Sequence, residues 1–328
     1  MKKSTKTILI GSGVLIGAAA VAEAVSHTIT KKLVEVALDR NENENESIET
    51  SKKHISGETS PELNVFMKVR ETAAEKLESC SIDSVEITAR DGVKLAGHWQ
   101  SCDNAKRIII AMHGWRSSWS RDFGLIADFL HDNGCHVLYA EQRGQNNSGG
   151  DHMGFGLIER YDCLEWIKWV DAQRYDNLPI YLCGVSMGAS TVLMAAGFDL
   201  PENVHGIIAD CGYTSPHAIW KHVAENNLHV YYDNWMSSIA DEMCRERIQF
   251  RSKDYSCTEA MENCKVPVLF IHGTDDSFVP VEMTYENYKT CASQKRLLIV
   301  PGAGHGMSYV IDRKQYEQTV TQFWKDFD

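Results

Sequence analysis

A serine flanked by glycines stands where a predicted strand meets a predicted helix. Ser186 is the centre of the pentapeptide Gly184-Val185-Ser186-Met187-Gly188, which directly follows the apolar run at residues 180–183. Glycines lack the Cβ atoms that would clash in a sharp strand-to-helix turn, so the serine hydroxyl can stand exposed above a sheet. The pattern predicts a nucleophile elbow, and therefore nucleophilic catalysis by Ser186.

Acidic and basic partners for this serine follow two further apolar runs. Residues 267–271 lead into a turn with the adjacent carboxylates of Asp275 and Asp276, and residues 296–300 lead into the glycine-flanked His305. A serine hydroxyl is a weak nucleophile at its free pKa, so we expect His305 to take its proton and pass it to the leaving group. A carboxylate would fix the imidazole tautomer and stabilise the imidazolium. These residues alone do not decide between the two aspartates.

A third loop supplies donors for the oxyanion that forms when a hydroxyl attacks an acyl group. The apolar run at residues 107–112 ends in His113-Gly114-Trp115, where the backbone N–H of Trp115 can face the site. With the N–H of Met187 it would give the two donors of an oxyanion hole. His113 itself is predicted to shape the turn and to take no part in the chemistry.

Eight short apolar segments are predicted as strands, and helical patterns fill most of the gaps from the third segment onward. This alternation is what parallel crossover connections require. We expect strands at residues 84–89, 93–99, 108–112, 136–140, 180–183, 206–210, 268–271 and 297–300. The predicted fold class is α/β, with a mostly parallel eight-stranded sheet flanked by helices.

With its motifs in this order, the chain resembles the α/β-hydrolase superfamily over residues 80–328. It is similar in particular to bacterial membrane-anchored serine hydrolases described as prolyl-oligopeptidase-like or as cell-surface esterases. The residues that carry this closer resemblance are Ala37-Leu38-Asp39-Arg40, Gly154-Phe155-Gly156, the run 210–215 and the run 272–280. The resemblance implies an α/β-hydrolase fold, with Ser186 as nucleophile and His305 as base.

The resemblance also selects one of the two adjacent aspartates. In the family pattern the acid lies three residues before a Val-Pro pair, which is Val279-Pro280 in this chain. This register selects Asp276 over Asp275 as the catalytic acid.

One loop departs from the family pattern. Relatives tend to have an Asp-x-Arg-Gly turn followed by Gly and Ser, whereas here Asn146 takes a usual glycine position. Asparagine tolerates left-handed backbone geometry better than most residues. We therefore expect the loop to form.

An insertion at residues 213–265 separates the sixth and seventh predicted strands. At this place in the resembling fold an insertion commonly forms a helical lid over the site. Its aromatic residues either form the core of the lid or line an acyl pocket. The residues predicted to contact substrate are Trp119, Tyr213 and Trp235.

Length, charge and residue spacing exclude several classes of function. A chain of 328 residues with 43% hydrophobic content suits one large α/β domain plus a leader. A formal net charge of −12 argues against nucleic acid as a partner.

The thirteen histidines show no metal-ligand spacing, so we predict no metal and no cofactor. Ten cysteines without framework spacing are predicted to be mostly reduced.

The amino terminus predicts attachment to the cell membrane. Lys2, Lys3 and Lys6 precede an apolar stretch at residues 8–25, which is at the short end for a spanning helix. We favour a single-pass anchor with the catalytic domain outside the cytoplasm. A cleaved signal peptide and a soluble helix are the alternatives.

We expect three parts along the chain. Residues 1–30 form the anchor or signal segment, residues 31–79 a polar tether and a lead-in helix, and residues 80–328 the hydrolase domain. In the lead-in helix the apolar residues that recur every four positions are predicted to form the packing face. They are Val65, Val69, Ala73 and Leu77.

The combined hypothesis is a serine hydrolase that cleaves small-molecule carboxylic esters through an acyl-enzyme. One alternative is an exopeptidase or aminoacyl amidase of the prolyl-oligopeptidase type, although the propeller domain of that class does not fit in this length. Another is a non-enzymatic surface protein on a hydrolase scaffold. A binding module has no physical need for Ser186, Asp276 and His305 together, which counts against that second alternative.

Overall fold

The computed structural model describes residues 23–40, 61–173 and 178–328. The apolar stretch at residues 8–25, which the sequence predicts to be a membrane anchor, lies outside these ranges except for its last three residues. Within these ranges, no helix combines the length and the apolar character needed to span a membrane.

An eight-stranded sheet lies at the centre of the described residues. Its strands are β1 (Asp83–Thr88), β2 (Lys94–Gln100), β3 (Arg107–Met112), β4 (Cys135–Ala140), β5 (Ile180–Val185), β6 (Val204–Asp210), β7 (Val268–Gly273) and β8 (Lys295–Val300). They are ordered β1-β2-β4-β3-β5-β6-β7-β8 across the sheet. β2 pairs antiparallel with β1 and β4, and all other pairs are parallel. The mostly parallel eight-stranded sheet is confirmed, and each predicted strand overlaps an observed one.

Helices cover both faces of this sheet. They are α1 (residues 23–38), α2 (Pro61–Glu78), α3 (Trp119–Asp132), α4 (Glu159–Ala172), α5 (Met187–Ala195), α6 (Pro216–His222), α7 (Asn234–Ile248), α8 (Cys257–Glu262), α9 (Val281–Thr290), α10 (Ser308–Ile311) and α11 (Arg313–Phe327). Side chains of α2, α3, α10 and α11 pack into the core on one face, and the other helices pack into the core on the opposite face.

The central strands β3 to β7 are apolar at most positions, and both of their faces are buried. In β3, Ile108 and Ile110 pack into one core, while Ile109 and Ala111 pack into the other. This alternation follows from the period of two along a strand. The parallel strands therefore point their carboxyl ends at one well-fixed edge, where loops can carry functional side chains.

The expected boundary at residue 30 does not separate two elements. Helix α1 continues to residue 38, and its residues Val34 and Leu38 are buried in one of the two cores. The first part of the segment predicted as a polar tether is therefore helical and packed against the hydrolase domain.

The lead-in helix is observed as α2, but its packing face was predicted only in part. Leu77 is buried as predicted, whereas Val65 and Val69 are exposed. Phe66 and Ala74 are buried in their place. Three of the four positions in the row 66, 70, 74 and 77 are apolar. The fourth is an arginine, which interrupts the apolar repeat in the sequence.

Helix α2 lies close against α3. A Cβ on Gly124 of α3 would come within 2.7 Å of the backbone of Ala73 in α2, so glycine allows this contact. At the same interface Arg70 forms an ion pair with Asp122. The interface is therefore partly ionic, which a search for apolar repeats cannot detect.

The insertion between β6 and β7 is helical, as predicted. It contains α6, a π-helical turn at Val223–Asn227, α7 and α8. Tyr232 and Met236 are buried, but Tyr231 and Trp235 are 77% and 51% exposed. The aromatic residues of the insertion therefore range from the buried Tyr232, through residues that are half-buried, to the exposed Tyr231 and Trp235.

Candidate active site

Ser186 occupies the sharp turn between β5 and α5. Its φ of 56° and ψ of −117° lie in a region that residues with a side chain rarely adopt. A Cβ on Gly184 would lie 2.2 Å from the carbonyl oxygen of Gly188, and a Cβ on Gly188 would lie 1.9 Å from that of Met112. Both glycines of the pentapeptide are therefore needed for the turn that presents Ser186.

Three of the predicted side chains meet at the carboxyl edge of the sheet. Ser186 Oγ lies 2.9 Å from His305 Nε2, and His305 Nδ1 lies 2.7 Å from Asp276 Oδ2. If Nδ1 donates to the carboxylate, Nε2 is free to accept the serine proton. Asp275 is exposed, and its carboxylate accepts a hydrogen bond from the Thr274 hydroxyl at 2.7 Å. The structure thus brings Asp276, and not Asp275, to His305.

Asp276 is held by donors on both of its oxygens. Oδ1 accepts from the backbone N–H groups of Phe278 and Val279, at 3.0 and 2.8 Å. Oδ2 lies 3.1 Å from the ring of the fully buried His272, in addition to its contact with His305. Several donors keep a carboxylate ionised and fix its position. The sequence did not single out His272, although it opens the run at residues 272–280.

The paired charges shift the pKa of both groups. Burial alone would raise the pKa of Asp276, but the charge of His305 and the hydrogen bonds from His272 and His305 hold that pKa well below its usual range. Burial alone would lower the pKa of His305, but Asp276 raises it well above its ordinary value. The carboxylate therefore stabilises the imidazolium form of His305.

The loop after β3 lies directly beside Ser186, because β3 and β5 are neighbours in the sheet. Met112 at the end of β3 is aligned with Gly184 of β5. A Cβ on Gly114 would lie only 3.3 Å from the Cβ of Ser186. The backbone of residues 113–117, called here the oxyanion loop, is therefore placed to meet a group bound at Ser186.

Two backbone N–H groups of the oxyanion loop are already engaged. The N–H of Gly114 donates to Asp122 Oδ2 at 2.6 Å, and the N–H of Arg116 donates to Gln145 Oε1 at 2.6 Å. The N–H of Trp115, between them, donates to no acceptor in residues 23–40, 61–173 or 178–328. Of these three neighbours, only Trp115 keeps its donor for a bound molecule.

Met187 offers the second predicted donor. It is the first residue of α5, where N–H groups lack an acceptor within the helix. Its N–H has no hydrogen-bond partner within the part of the chain that the structure describes. The assignment of Trp115 and Met187 as the oxyanion hole stays a prediction.

The end of α1 reaches the oxyanion loop and the insertion. The carbonyl of Ala37 accepts a hydrogen bond from Trp115 Nε1 at 2.9 Å, and Arg116 donates to the carbonyl of Asp39 at 2.8 Å. The carboxylate of Asp39 also pairs with Arg247 of α7 at 2.6 Å. The residues after position 36 thus connect the loop beside Ser186 with the insertion.

Asn146 adopts the left-handed backbone that the sequence predicted, with a φ of 48°. Its side-chain nitrogen donates to the carbonyl of Ser117 at 2.9 Å, and its own carbonyl accepts from Arg40 at 2.5 Å. The loop after β4 therefore forms without the usual glycine and closes against the oxyanion loop.

The three residues predicted to contact substrate lie in different environments. Trp119 is packed in a core, where its ring stacks on His98 at 4.2 Å and lies 5.3 Å from Tyr139. Tyr213 is buried after β6, and Trp235 is exposed on α7. The structure does not bring these three side chains together, and their contact with substrate stays a prediction.

An aromatic cluster around Phe155 lies beside the oxyanion loop, and Tyr213, which was predicted to contact substrate, belongs to it. The ring of Phe155 is 6.2 Å from Trp115, 6.1 Å from Tyr213 and 5.4 Å from Trp220. The signal for it was the Gly154-Phe155-Gly156 run, in which Phe155 has a left-handed φ of 51°. Phe155 and Tyr213 are buried, so the group is a packed aromatic cluster beside the oxyanion loop.

Cys211 lies close to the catalytic candidates. Its sulfur and one side-chain ligand atom each of Asp276 and His305 lie within 4.8 Å of one another. Such a donor set can hold a metal ion, but here Asp276 and His305 already bond to each other. Burial raises the pKa of Cys211 to about 11, although His305 opposes the shift. The thiol is therefore neutral near pH 7 and is a poor nucleophile.

The sheet order, the strained serine turn after β5 and the side chains that meet there define an α/β-hydrolase. Comparison with protein families places the chain more narrowly, because the model of the prolyl oligopeptidase family, Peptidase_S9, matches residues 121–327. This match covers more than half of the sequence, and the chain belongs to that family. It is a serine hydrolase of the α/β-hydrolase type.

Individual relatives agree with this classification. The uncharacterised protein YqkD of Bacillus subtilis is 28% identical over 252 residues, which cover 76% of this chain and 81% of YqkD. A structure of the Pyrococcus furiosus esterase Pf2001 has a TM-score of 0.60 at 25% identity, covering 77% of this chain and 95% of the esterase. The acylaminoacyl peptidase of Pyrococcus horikoshii has a TM-score of 0.57 at 17% identity, covering 76% of this chain but 43% of the peptidase.

Proposed function

We propose that this protein cleaves carboxylic esters through an acyl-enzyme formed on Ser186. The observation that carries the proposal is the hydrogen-bonded chain from Ser186 Oγ through His305 to Asp276. This order of nucleophile, base and acid defines a catalytic triad. The aromatic cluster around Phe155, which packs beside the oxyanion loop, favours a substrate with an apolar acyl or alcohol group.

The geometry supports a two-step reaction. In the first step His305 Nε2 takes the proton of Ser186 while Oγ attacks the acyl carbon, and the carbonyl oxygen becomes an oxyanion facing the N–H groups of Trp115 and Met187. Asp276 stabilises the imidazolium, which then protonates the departing alcohol. In the second step a water molecule, deprotonated by His305, releases the acid and regenerates the serine.

One finding supports an ester over an amide substrate. The neighbour Pf2001 is an esterase and is matched over nearly its whole chain. Membership of the prolyl oligopeptidase family favours the second candidate, an aminoacyl amidase.

We expect the purified protein to hydrolyse a p-nitrophenyl ester and to leave the p-nitroanilide of the same acyl group intact. Both substrates release a chromophore, so kcat/KM can be compared with the acyl group held constant. A peptidase cleaves both, because it must also activate the poorer leaving group. Comparable turnover of the anilide would favour the amidase. If the protein turns over neither substrate and is not labelled by a fluorophosphonate, the proposal that it is a hydrolase acting through Ser186 is contradicted.

We expect kcat/KM to increase with pH. The midpoint of this increase, the acidic limb of the profile, should lie well above pH 6.5, the ordinary pKa of histidine. His305 must be neutral to accept the serine proton, so activity is lost below its pKa, and Asp276 raises that pKa. The measurement is a pH profile on an ester that is stable in alkaline buffer. Asp276→Asn removes the negative charge, so the residual activity of that variant should show its limb at lower pH. A wild-type limb at or below pH 6.5 would refute the proposed coupling.

Location at the cell membrane stays a prediction of the sequence. It depends mainly on residues 1–22, which are outside the described ranges. The lid role of the insertion also stays a prediction, and the exposed ring of Trp235 is our candidate for contact with long acyl chains.

A further inference from the structure

The carboxylate of Asp122 binds the oxyanion loop at two points. Its Oδ2 accepts the N–H of Gly114 at 2.6 Å, and its Oδ1 accepts the hydroxyl of Ser117 at 2.7 Å. These two residues stand on either side of Trp115, the proposed oxyanion donor. One carboxylate therefore fixes both ends of the short segment that carries the donor.

Asp122 is buried and has a positive partner. Its side chain is 5% exposed, and Arg70 forms an ion pair with Oδ1. Burial alone would raise the pKa of Asp122, but Arg70 and the N–H of Gly114 lower it. Arg70 also donates to the Ser117 hydroxyl at 2.8 Å. The countercharge and the carboxylate thus hold the same loop.

Arg70 comes from outside the region that the family model matches. It lies in α2, in the buried row between Phe66 and Ala74. Its Nε donates to the carbonyl of Arg121 at 2.8 Å, which fixes the guanidinium at the start of α3. Helix α2 therefore does more than cover the sheet, because it supplies the charge that a buried carboxylate beside the site requires.

A second ion pair joins the same two helices and provides a comparison. Glu71 of α2 pairs with Arg121 of α3 at 3.0 Å, and Glu71 is about half exposed. The hydrogen bonds of the Glu71 and Arg121 side chains, within the ranges that the structure describes, do not reach residues 113–117. Loss of this pair removes one link between the helices but leaves the oxyanion loop untouched.

We propose that Arg70 and Asp122 are positioning residues that preform the oxyanion hole. By fixing Gly114 and Ser117, they hold the N–H of Trp115 toward Ser186 before substrate arrives. Preformed donors stabilise the transition state because they need no reorganisation during the reaction. This inference rests on the proposed function, since it concerns the oxyanion that forms at Ser186.

Other contacts limit the size of the effect. Arg116 remains bonded to Gln145, and the Trp115 side chain remains bonded to the carbonyl of Ala37. The loop therefore keeps part of its geometry when Asp122 is altered. We expect a smaller loss than the roughly 10²-fold to 10³-fold decrease typical of removing one oxyanion donor.

The test is Asp122→Asn, which keeps the shape of the side chain but removes its charge. We expect kcat to fall about tenfold to hundredfold while KM stays within about twofold, since the lost interaction acts only in the transition state. Affinity for a trifluoromethyl ketone, which forms a tetrahedral adduct with the serine, should fall by the same factor. Arg70→Met should act in the same direction, and Arg70→Lys should restore part of the activity.

Glu71→Gln is the matched control, and it should leave kcat and ketone affinity at wild-type values. A lower melting temperature of Asp122→Asn with unchanged kcat and ketone affinity would show a merely structural pair and overturn the proposal. Equal losses in Glu71→Gln would overturn it as well. If Asp122→Asn does not fold, kcat and ketone affinity of Arg70→Met test the proposal in its place. Failure of the proposed acyl-enzyme chemistry at Ser186 is distinct, because the wild-type protein would then not bind the ketone. The choice between ester and amide substrates does not affect this test, since both proceed through an oxyanion at the serine.

Discussion

Replacing Ser186 with alanine should abolish ester hydrolysis and fluorophosphonate labelling, with turnover about 10⁶-fold lower. The alanine side chain has no oxygen to attack the acyl carbon, and His305 loses the hydroxyl that lies 2.9 Å from its Nε2. The fold should persist, because alanine is no larger than serine and the backbone of the turn is set by the two flanking glycines. Turnover, labelling and a thermal melt measure these three expectations.

Ser190→Ala provides the matched control for this experiment. Ser190 is one helical turn further along α5, fully buried, and its hydroxyl accepts the N–H of Tyr213 at 2.9 Å. The variant should be somewhat less stable but should still be labelled. Labelling that persists in Ser186→Ala would exclude Ser186 as the nucleophile.

Asp276→Asn should lower turnover about 10⁴-fold, whereas Asp275→Asn should change it little. An asparagine at position 276 can present its amide N–H to His305 and so favour the wrong imidazole tautomer. It also removes the charge that stabilises the imidazolium. Asp275 is exposed and contacts the Thr274 hydroxyl, so its loss leaves His305 in place.

These adjacent residues make a sharp comparison, because both variants change one carboxylate to an amide in the same turn. Steady-state turnover of one ester by both proteins is the measurement. Similar losses in the two variants, or a larger loss in Asp275→Asn, would show that the Val279-Pro280 register identifies the wrong acid.

The strands and the main site residues could be predicted because their signals are local. The central strands β3 to β7 are short apolar runs, and burial on both faces leaves few other ways for such runs to pack. Ser186 follows directly on β5, and Asp276 and His305 lie in the loops that follow β7 and β8. Parallel pairing therefore brings these loops to one edge of the sheet.

Other features could not be predicted because they depend on contacts between distant parts of the chain. His272 contacts Asp276 from within β7. Its position in an apolar strand gives no sign of this contact in the sequence. Trp119 is the first residue of α3, and the stacking of its ring on His98 depends on a residue of β2 that is distant in sequence. The buried face of α2 was misjudged because Arg70 breaks the apolar repeat, and its partner Asp122 is 52 residues away.

The contacts at the end of α1 define where the catalytic unit of this chain begins. A shortened protein that starts at residue 61 would lack Val34 and Leu38, and so leave an apolar hollow in the core. It would also leave the Trp115 indole N–H without its acceptor, at the residue that carries the candidate oxyanion donor. A fragment intended to retain activity therefore has to include α1, even when residues 1–22 are removed.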